Sequence, residues 1–448
     1  MNLTFCGAAR TVTGSCFLLE DSSRILIDVG MFQGSVEKRN YRRFPFNPSK
    51  IDCVLITHAH LDHVGLLPKL VKHGFNGTIY STKVTKELAE LMLYDSAKVQ
   101  EEEAYTQTKK NLRKGLPKVH PLYDEEDVRE CFKLKWICKD KFYIDGMHVR
   151  LKNSGHILGS AFVEIETDKK ITFSGDIGEP NRLIIKDPEY PDKTDYLIVE
   201  STYADRNHKS VEESIKELKD AINSTFKRGG NVLIPSFALE RTQEVLYAIH
   251  KLYYSNQIPE CQIFLDSPLA IDITQVFLRH PELYDRETLE EFKRGNPFYV
   301  PNLKFTKSVE ESKEINEVKS GAIIIAGSGM CNGGRIKHHL KHNLWRKECS
   351  VVFVGYQVKG TLGRRIIDGA KKVRIYGEEI AVKARIYTIN GFSAHAGRDF
   401  LLKWSSKSNA RKVFVVHGEF DKNLMLANAL KQRGFKSVIP NWLQSFEI

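Results

Sequence analysis

The stretch His58-Ala59-His60-Leu61-Asp62-His63 places three imidazoles and a carboxylate in six consecutive positions. It follows the apolar run Cys53-Val54-Leu55-Ile56, which predicts a buried strand, and it precedes Val64-Gly65-Leu66-Leu67, which predicts the start of a helix. Such side chains are costly to bury and add nothing to apolar packing, so a bound cation is their natural stabiliser. Ligands of this type suit zinc.

The spacing within this stretch indicates more than one metal. His58 and His60 alternate along the end of the strand, whereas Asp62 and His63 lie beyond it, so the two pairs point in different directions. A lone histidine near a strand end is more often a hydrogen-bonded core or surface residue than a ligand. Four candidate ligands in this order favour a metal site, and one short loop can serve two metals.

Composition sets the broad class of the protein. The chain has 448 residues, of which 42% are hydrophobic and 27% charged, as expected for a soluble globular protein of two or three domains. The first twenty residues lack a signal-peptide pattern, and no apolar run approaches the roughly 18–20 residues that span a bilayer. We therefore expect a cytoplasmic protein without a membrane partner.

Cysteine spacing and net charge further narrow the class of protein. The eight cysteines form no CxxC pair, so we expect reduced and mostly buried thiols rather than disulfides or a zinc finger. A formal net charge of +11 favours a polyanionic partner such as nucleic acid, although proteins without such a partner also reach this value.

The order of predicted strands and helices along the sequence predicts two domains. Residues 1–207 alternate short β-rich runs with turns, which favours antiparallel hairpins in a layered α/β arrangement, interrupted by one long helix at about 83–114. Residues 208–367 alternate helices with strands, which predicts a second domain built on a parallel sheet. The β-rich texture returns in 368–448 and predicts the C-terminal part of the first domain.

Three isolated residues at other predicted strand ends are candidates for the remaining metal ligands. His156 lies in a glycine-rich connection, Asp176 follows the strand 171–173, and His417 ends the strand 413–416. Each alone could be a ligand or a turn residue, and Asp176 in particular could simply cap a turn.

Taken together with residues 58–63, these positions resemble the ligand motifs of the metallo-β-lactamase superfamily in type and order. The resemblance implies that His58, His60 and His156 hold one zinc ion, that Asp62, His63 and His417 hold the other, and that Asp176 bridges them. Asp28, in Leu26-Ile27-Asp28-Val29-Gly30, matches the first superfamily motif, whose aspartate orients a ligand without touching the metal.

Three further segments resemble motifs A, B and C of the β-CASP nucleases in this superfamily. They are the segment 199–206 with Glu200, the segment 390–397 with His395, and Val416-His417-Gly418-Glu419. The chain is similar to the cleavage/polyadenylation type of endoribonuclease, in the bacterial or archaeal form without KH domains. The resemblance implies a metallo-β-lactamase αββα sandwich with an inserted β-CASP domain, a parallel sheet flanked by helices.

The resemblance also implies a reaction. Two zinc ions about 3.5–4 Å apart lower the pKa of a bridging water toward 7, and the resulting hydroxide hydrolyses RNA to 5′-phosphate and 3′-hydroxyl ends. The implied catalytic residues are Asp62 and Asp176 at the metals, His395 as the proton donor to the departing oxygen, and Glu200 as its partner. A histidine at motif C, His417, accompanies RNA-directed rather than DNA-directed members.

A glycine-rich turn adds a candidate phosphate site. The strand 322–326 leads into Gly327-Ser328-Gly329-Met330 and then Arg335, just before a predicted helix. Backbone amides at a helix start together with an arginine can cradle phosphate, so we predict that Ser328, Gly329, Arg335 and also Arg241 bind RNA phosphates. The alternative is a tight turn that needs positive φ.

The sequence leaves several functions open. The expected partner is single-stranded RNA, in a groove between the two domains. A 5′-to-3′ exoribonuclease, a DNA-directed nuclease, a hydrolase of a small ester or lactam, and a non-catalytic RNA-binding subunit are the alternatives. The RNA target and the oligomeric state, a homodimer included, are not fixed by the sequence.

Overall fold

The computed structural model describes all residues from Met1 to Ile448, and the chain divides into two compact units. Unit 1 comprises Met1–Pro180, Asp187–Asn207 and His395–Ile448. Unit 2 comprises Asn181–Lys186 and His208–Ala394. Residues 368–394 lie in unit 2, whereas the sequence pattern predicts them in the C-terminal part of the first domain.

Short strands make up most of both units. In chain order they are β1 (Asn2–Phe5), β2 (Phe17–Glu20), β3 (Arg24–Ile27), β4 (Cys53–Leu55), β5 (Thr78–Ser81), β6 (Trp136–Cys138), β7 (Lys141–Ile144), β8 (Met147–Asn153), β9 (Ala161–Glu166), β10 (Lys170–Phe173), β11 (Tyr196–Val199), β12 (Val232–Pro235), β13 (Gln262–Asp266), β14 (Leu303–Phe305), β15 (Ala322–Ala326), β16 (Ser350–Phe353), β17 (Lys372–Ile375), β18 (Glu378–Ala381), β19 (Arg385–Thr388), β20 (Lys412–Val415), β21 (Lys436–Val438) and β22 (Ser445–Glu447).

Thirteen α-helices connect these strands. They are α1 (Leu61–Val64), α2 (Leu67–Lys72), α3 (Lys83–Leu112), α4 (Glu125–Lys133), α5 (Val211–Lys227), α6 (Arg241–Tyr254), α7 (Pro268–Arg279), α8 (Arg286–Arg294), α9 (Val309–Glu314), α10 (Ile336–Asn343), α11 (Leu362–Ile367), α12 (Arg398–Lys407) and α13 (Phe420–Gln432). None of them is both long and apolar enough to cross a lipid bilayer. All eight cysteines are free thiols, and all but Cys138 are buried.

Unit 1 contains two seven-stranded sheets, with the orders β22-β1-β2-β3-β4-β5-β6 and β21-β20-β11-β10-β9-β8-β7. The predicted antiparallel hairpins are present in β1 to β3 and in β7 to β10. The other half of each sheet is parallel, from β3 to β6 and from β10 through β11 and β20 to β21. Each sheet therefore has an edge at which several strands end with their carboxyl termini side by side.

Apolar side chains from both sheets fill the space between them. Phe5 of β1 lies 5.1 Å from Phe414 of β20, and Phe17 of β2 lies 5.9 Å from Phe173 of β10, measured between ring centroids. On the other face of the second sheet, Trp404 of α12 packs edge-on against Phe162. Two sheets face to face with helices outside are the predicted sandwich.

Unit 2 is built on a parallel sheet of six strands in the order β14-β13-β15-β12-β16-β19, with β17 and β18 forming a separate hairpin. Every neighbouring pair in the larger sheet is parallel. This confirms the parallel sheet predicted from the alternation of helices and strands. The pairing of β19 with β16 explains why residues up to 394 belong to this unit.

A buried carboxylate at the end of β13 ties several elements of unit 2 together. Asp266 is fully buried and accepts hydrogen bonds from Arg335 Nη1 at 2.7 Å, His339 Nε2 at 2.6 Å, Thr306 Oγ1 at 2.7 Å and Ser312 Oγ at 2.6 Å. Burial alone would raise the pKa of Asp266, but hydrogen bonds from His339, Ser312 and Thr306 outweigh it and lower the pKa to about 2. The ionised form of this carboxyl thus stabilises the fold.

We expect Asp266→Asn to lower the free energy of unfolding by about 3–5 kcal/mol at pH 7, since Arg335 and His339 lose a buried anionic partner. A depressed carboxyl pKa stabilises above its unfolded value of about 3.9, and the effect is lost as the pH falls through the folded value. Urea titrations from pH 7 down to 2 should show the gap between wild type and variant closing below about pH 4.

The matched control is Asp272→Asn, since Asp272 is an exposed partner of Lys307 and should change stability little. A gap that is absent at pH 7, or that does not change with pH, would contradict this role of Asp266.

Candidate metal centre

The parallel halves of the two sheets in unit 1 bring the predicted ligands to one place. In the first sheet, Asp28 follows β3, and residues 58–63 follow its parallel neighbour β4. In the second sheet, Asp176, Glu200 and His417 follow the parallel strands β10, β11 and β20. Because parallel strands end at the same edge of a sheet, side chains just beyond these ends lie together.

Asp176 lies at the middle of this cluster. Its Oδ2 is 3.6 Å from His58 Nε2, 3.4 Å from His63 Nε2 and 3.6 Å from His156 Nε2. Its Oδ1 is 3.3 Å from His417 Nδ1. One carboxylate therefore faces histidines from both sheets, as a bridging ligand must.

The remaining ligand atoms complete two groups. His60 Nδ1 is 3.2 Å from His156 Nε2, and His417 Nε2 is 3.2 Å from His63 Nε2 and 3.6 Å from Asp62 Oδ2. Two of the groups that could hold a metal ion are therefore His58, His60, His156 and Asp176, and Asp62, His63 and His417, and a third consists of Asp176, Glu200 and His395. Ligand atoms about 2.1 Å from a tetrahedral metal lie about 3.4 Å apart, so these separations fit two metal ions.

Burial and charge in the cluster also suit metal binding. His58 Nε2 and Asp176 Oδ1 are buried and have no hydrogen-bond partner, which is costly unless a cation takes that place. Burial lowers the pKa of His60 to about 4 and that of His58 well below its usual value, which favours the neutral imidazole that ligation requires. At His63 burial acts in the same direction, but Asp176 and Asp28 outweigh it and raise the pKa. Burial opposes ionisation of Asp176, yet the imidazoles of His417 and His63 hold its pKa well below the usual range.

Asp28 orients candidate metal ligands through hydrogen bonds. It is fully buried, and its Oδ2 accepts from His63 Nδ1 at 2.6 Å, while its Oδ1 accepts from the backbone N–H of Thr57 at 2.8 Å. The hydroxyl of Ser15 donates to the same carboxylate at 3.1 Å. Thr57 Oγ1 lies 3.1 Å from His58 Nδ1, so Asp28 supports a histidine of each metal group.

His395 and Glu200 form a pair at one side of the cluster. Glu200 is fully buried, and its Oε1 lies 3.3 Å from His395 Nδ1 and accepts from the backbone N–H of Ile177 at 2.8 Å. His395 keeps a 21% exposed side chain. Burial lowers the pKa of His395, but Glu200 and Asp176 outweigh this effect and raise it above the usual value, which favours the charged imidazole.

Two glycines let backbone segments approach closely enough to build the site. A Cβ on Gly30 would lie 1.7 Å from the carbonyl oxygen of Asp62, and a Cβ on Gly178 would lie 1.7 Å from that of Gly155. Gly178 also pairs with His395 in an isolated antiparallel bridge. Any side chain at either position would displace a metal-ligand loop.

Known families match the chain over most of its length. Residues 9–225 match the family described as "Metallo-beta-lactamase superfamily", and residues 242–366 match the family described as "Beta-Casp domain". Residues 379–440 match the family described as "Zn-dependent metallo-hydrolase RNA specificity domain". Among curated proteins, ribonuclease TTHA0252 of Thermus thermophilus is 39% identical over 437 residues, which is 97% of each chain. This chain belongs to the β-CASP family of the metallo-β-lactamase superfamily. It is therefore an enzyme of a metal-dependent hydrolase family.

Other relatives of this β-CASP enzyme carry a different name. Transcription termination factor FttA of Methanocaldococcus jannaschii is 31% identical over 96% of this chain and 69% of its own, and that of Pyrococcus abyssi is 32% identical over 100% and 71%. Among solved structures, a protein of unknown function from Enterococcus faecalis V583 has a TM-score of 0.57 at 14% identity, covering 99% of both chains. That likeness shows the fold alone.

The four predicted phosphate-binding residues of this β-CASP enzyme lie in unit 2. Ser328 and Gly329 are in the turn between β15 and α10, where the backbone N–H of Gly333 donates to Ser328 Oγ at 3.3 Å. The guanidinium of Arg335 bonds Asp266 and the carbonyl oxygens of Thr306 and Lys307, and that of Arg241 bonds Glu244 at 2.7 Å. Both arginines thus have protein partners, and the phosphate-binding role of these residues stays a prediction.

Sequence reasoning missed three residues that support the site. Thr57 and Ser15 hold Asp28, and Arg182 of unit 2 donates to the carbonyl oxygens of Phe392 and Ser393 in the segment that carries motif B. The position of Thr57, directly before His58, was a usable signal. No local pattern marks Ser15 or Arg182.

We expect Asp28→Asn to weaken metal binding about 10- to 100-fold, because the amide cannot replace the carboxylate that accepts from His63 and Thr57 together. Titration of the metal-free protein with zinc against a chelating dye measures this affinity. Asp21→Asn, at an exposed carboxyl, is the matched control. Equal zinc affinity in both variants and wild type would show that Asp28 does not support the ligands.

Proposed function

We propose that this chain is a zinc-dependent endoribonuclease that hydrolyses single-stranded RNA and leaves 5′-phosphate and 3′-hydroxyl ends. The observation that carries the proposal is the pairing of His395 with Glu200 beside the two groups of ligands, since hydrolysis of a phosphodiester needs both a metal centre and a proton donor. Two zinc ions bound there would supply a nucleophile at neutral pH and neutralise charge on the phosphoryl group.

The ligand set supports zinc and a count of two. Five histidines and two carboxylates offer the nitrogen and oxygen ligands that zinc takes, in two groups, and Asp176 of the first group has an oxygen 3.3 Å from His417 of the second. His58, His60 and His156 would hold one ion, and Asp62, His63 and His417 the other. Asp176 would contact both.

RNA as the substrate is supported by three observations. The segment 379–440 matches a family described as an RNA specificity domain of zinc-dependent hydrolases, and the relative of 39% identity is named a ribonuclease. The net charge of +11 favours a polyanion. Motif C carries a histidine, His417, in agreement with RNA-directed members of the family.

The surroundings of His395 support different tasks for its two nitrogens in this proposal. Nδ1 faces Glu200 Oε1 at 3.3 Å and Asp176 Oδ2 at 3.8 Å, so this N–H is held by carboxylates and fixes the ring. Nε2 is then the atom that gives its proton to the departing 3′ oxygen. Glu200 acts on the reaction through His395, because it stabilises the imidazolium and keeps the ring in one orientation.

We expect His395→Ala to lower kcat for single-stranded RNA about 10²- to 10⁴-fold while zinc content stays at the wild-type value, because the proton donor is lost and the ligands are kept. A chelator should abolish cleavage by the wild type. His148→Ala, on β8 and outside the ligand groups, is the matched control. Equal cleavage by wild type, chelated protein and His395→Ala would end the proposal.

A substrate without ends distinguishes internal cleavage from the release of single nucleotides at the 5′ end. A circular single-stranded RNA has no end, so we expect it to be converted to linear fragments carrying 5′-phosphate and 3′-hydroxyl groups, resolved by gel electrophoresis and end-labelling. The linear form with a labelled 5′ end is the control. An intact circle together with labelled mononucleotides from the linear RNA would mark the enzyme as an exoribonuclease.

A further inference from the structure

An exposed aromatic ring and an exposed guanidinium are stacked on each other in unit 1. Phe420 is the first residue of α13, and 48% of it is exposed. The Cζ atom of Arg10, which is also exposed, lies 4.7 Å from the centroid of the Phe420 ring. A half-exposed aromatic ring beside a guanidinium is available for contact with a ligand.

Both residues are anchored to the metal centre through the backbone. The backbone N–H of His417 donates to the carbonyl oxygen of Ala8 at 2.7 Å, so the loop with Arg10 and the loop with Phe420 meet at a metal ligand. Arg10 is two residues from this hydrogen bond, and Phe420 is three. The stacked pair therefore lies on two loops that meet at the candidate ligand His417.

Unusual backbone conformations fix the two loops. Ala8, Arg10 and His417 have φ values of 48°, 58° and 47°, in the left-handed region that residues other than glycine seldom adopt. Such conformations cluster at functional sites, where the surrounding structure holds them. The side chain of Arg10 is thus presented by a defined turn.

The charges around the pair indicate what it binds. Glu419 is exposed, and Asp421 has a 65% exposed side chain, so carboxylates flank Phe420 on both sides along the chain. The ammonium of Lys422 pairs with Asp205 and lies 3.8 Å from Asp421, so it offsets only part of this negative charge. Two exposed carboxylates repel a phosphate, whereas a flat aromatic ring with a stacked guanidinium suits the face of a nucleobase.

We propose that Phe420 and Arg10 form a stacking platform for one unpaired nucleobase of the RNA chain, next to the phosphodiester at the metal centre. This inference rests on the proposed RNA-directed function and adds a base-binding subsite to it. Stacking on an aromatic ring is tolerant of base identity, so the platform would hold the strand in place without selecting a sequence. It would also require that base to be unpaired.

The test compares Phe420→Ala with Phe420→Trp, using one short single-stranded RNA and a series in which each nucleotide in turn is made abasic. We expect Phe420→Ala to raise KM about ten- to hundredfold with kcat and zinc content unchanged, and Phe420→Trp to restore KM. One abasic position should raise the wild-type KM by the same factor and have no further effect in Phe420→Ala. Tyr143→Ala removes another exposed aromatic residue, on β7, and should change nothing.

Three results would overturn the platform while RNA cleavage persists. The first is an unchanged KM in Phe420→Ala. The second is an increase in KM for Phe420→Ala that combines in full with the increase caused by each abasic substitution. The third is a shift from dimer to monomer in Phe420→Ala with unchanged cleavage, which would mark the ring as a contact between copies of the chain. Fluorescence anisotropy of labelled RNA on the metal-free protein separates the two proposals. Weaker binding by Phe420→Ala than by wild type supports the platform even without cleavage, and equal binding removes it.

Discussion

The burial of one charged carboxylate is the constraint on which unit 1 depends. Asp176 lies in the interior, with four histidine nitrogens from both sheets within 3.3–3.6 Å of its oxygens. A buried charge is costly unless partners surround it, so the two sheets must pack with the carboxyl ends of β4, β10 and β20 at one edge. The contact between Phe17 and Phe173, with ring centroids 5.9 Å apart, is part of the packing between the two sheets in this alignment.

The sequence supported the first part of the site directly and the rest only through resemblance. Residues 58–63 carry four candidate ligands in one turn, so their chemistry could be inferred without a fold. His156, Asp176 and His417 each occupy a position where a turn residue is equally plausible, and their convergence depends on strand order. The boundary near 368 is hard to infer for a related reason, because β19 is a four-residue strand whose sequence does not indicate that it pairs with β16.

The arginines of unit 2 show another limit of sequence reasoning. The turn at 327–335 has the composition of a phosphate cradle, but Arg335 bonds Asp266, which lies 69 residues away in sequence. No local pattern indicates such a partner. Arg241 differs, because Glu244 follows it at the helical spacing of three, and that pairing could have been inferred from the sequence.

The short segment that follows β10 contacts both parts of the candidate site, the predicted metal ligands and the pair of His395 and Glu200. Asp176 faces the ligand histidines, and two residues later Gly178 pairs with His395, while the backbone N–H of Ile177 between them binds Glu200. A shift of this segment by even a fraction of an ångström moves the metal-facing carboxylate and the imidazole together. A single substitution in this segment is therefore expected to act on both parts of the candidate site at once, whichever of the two it was meant to change.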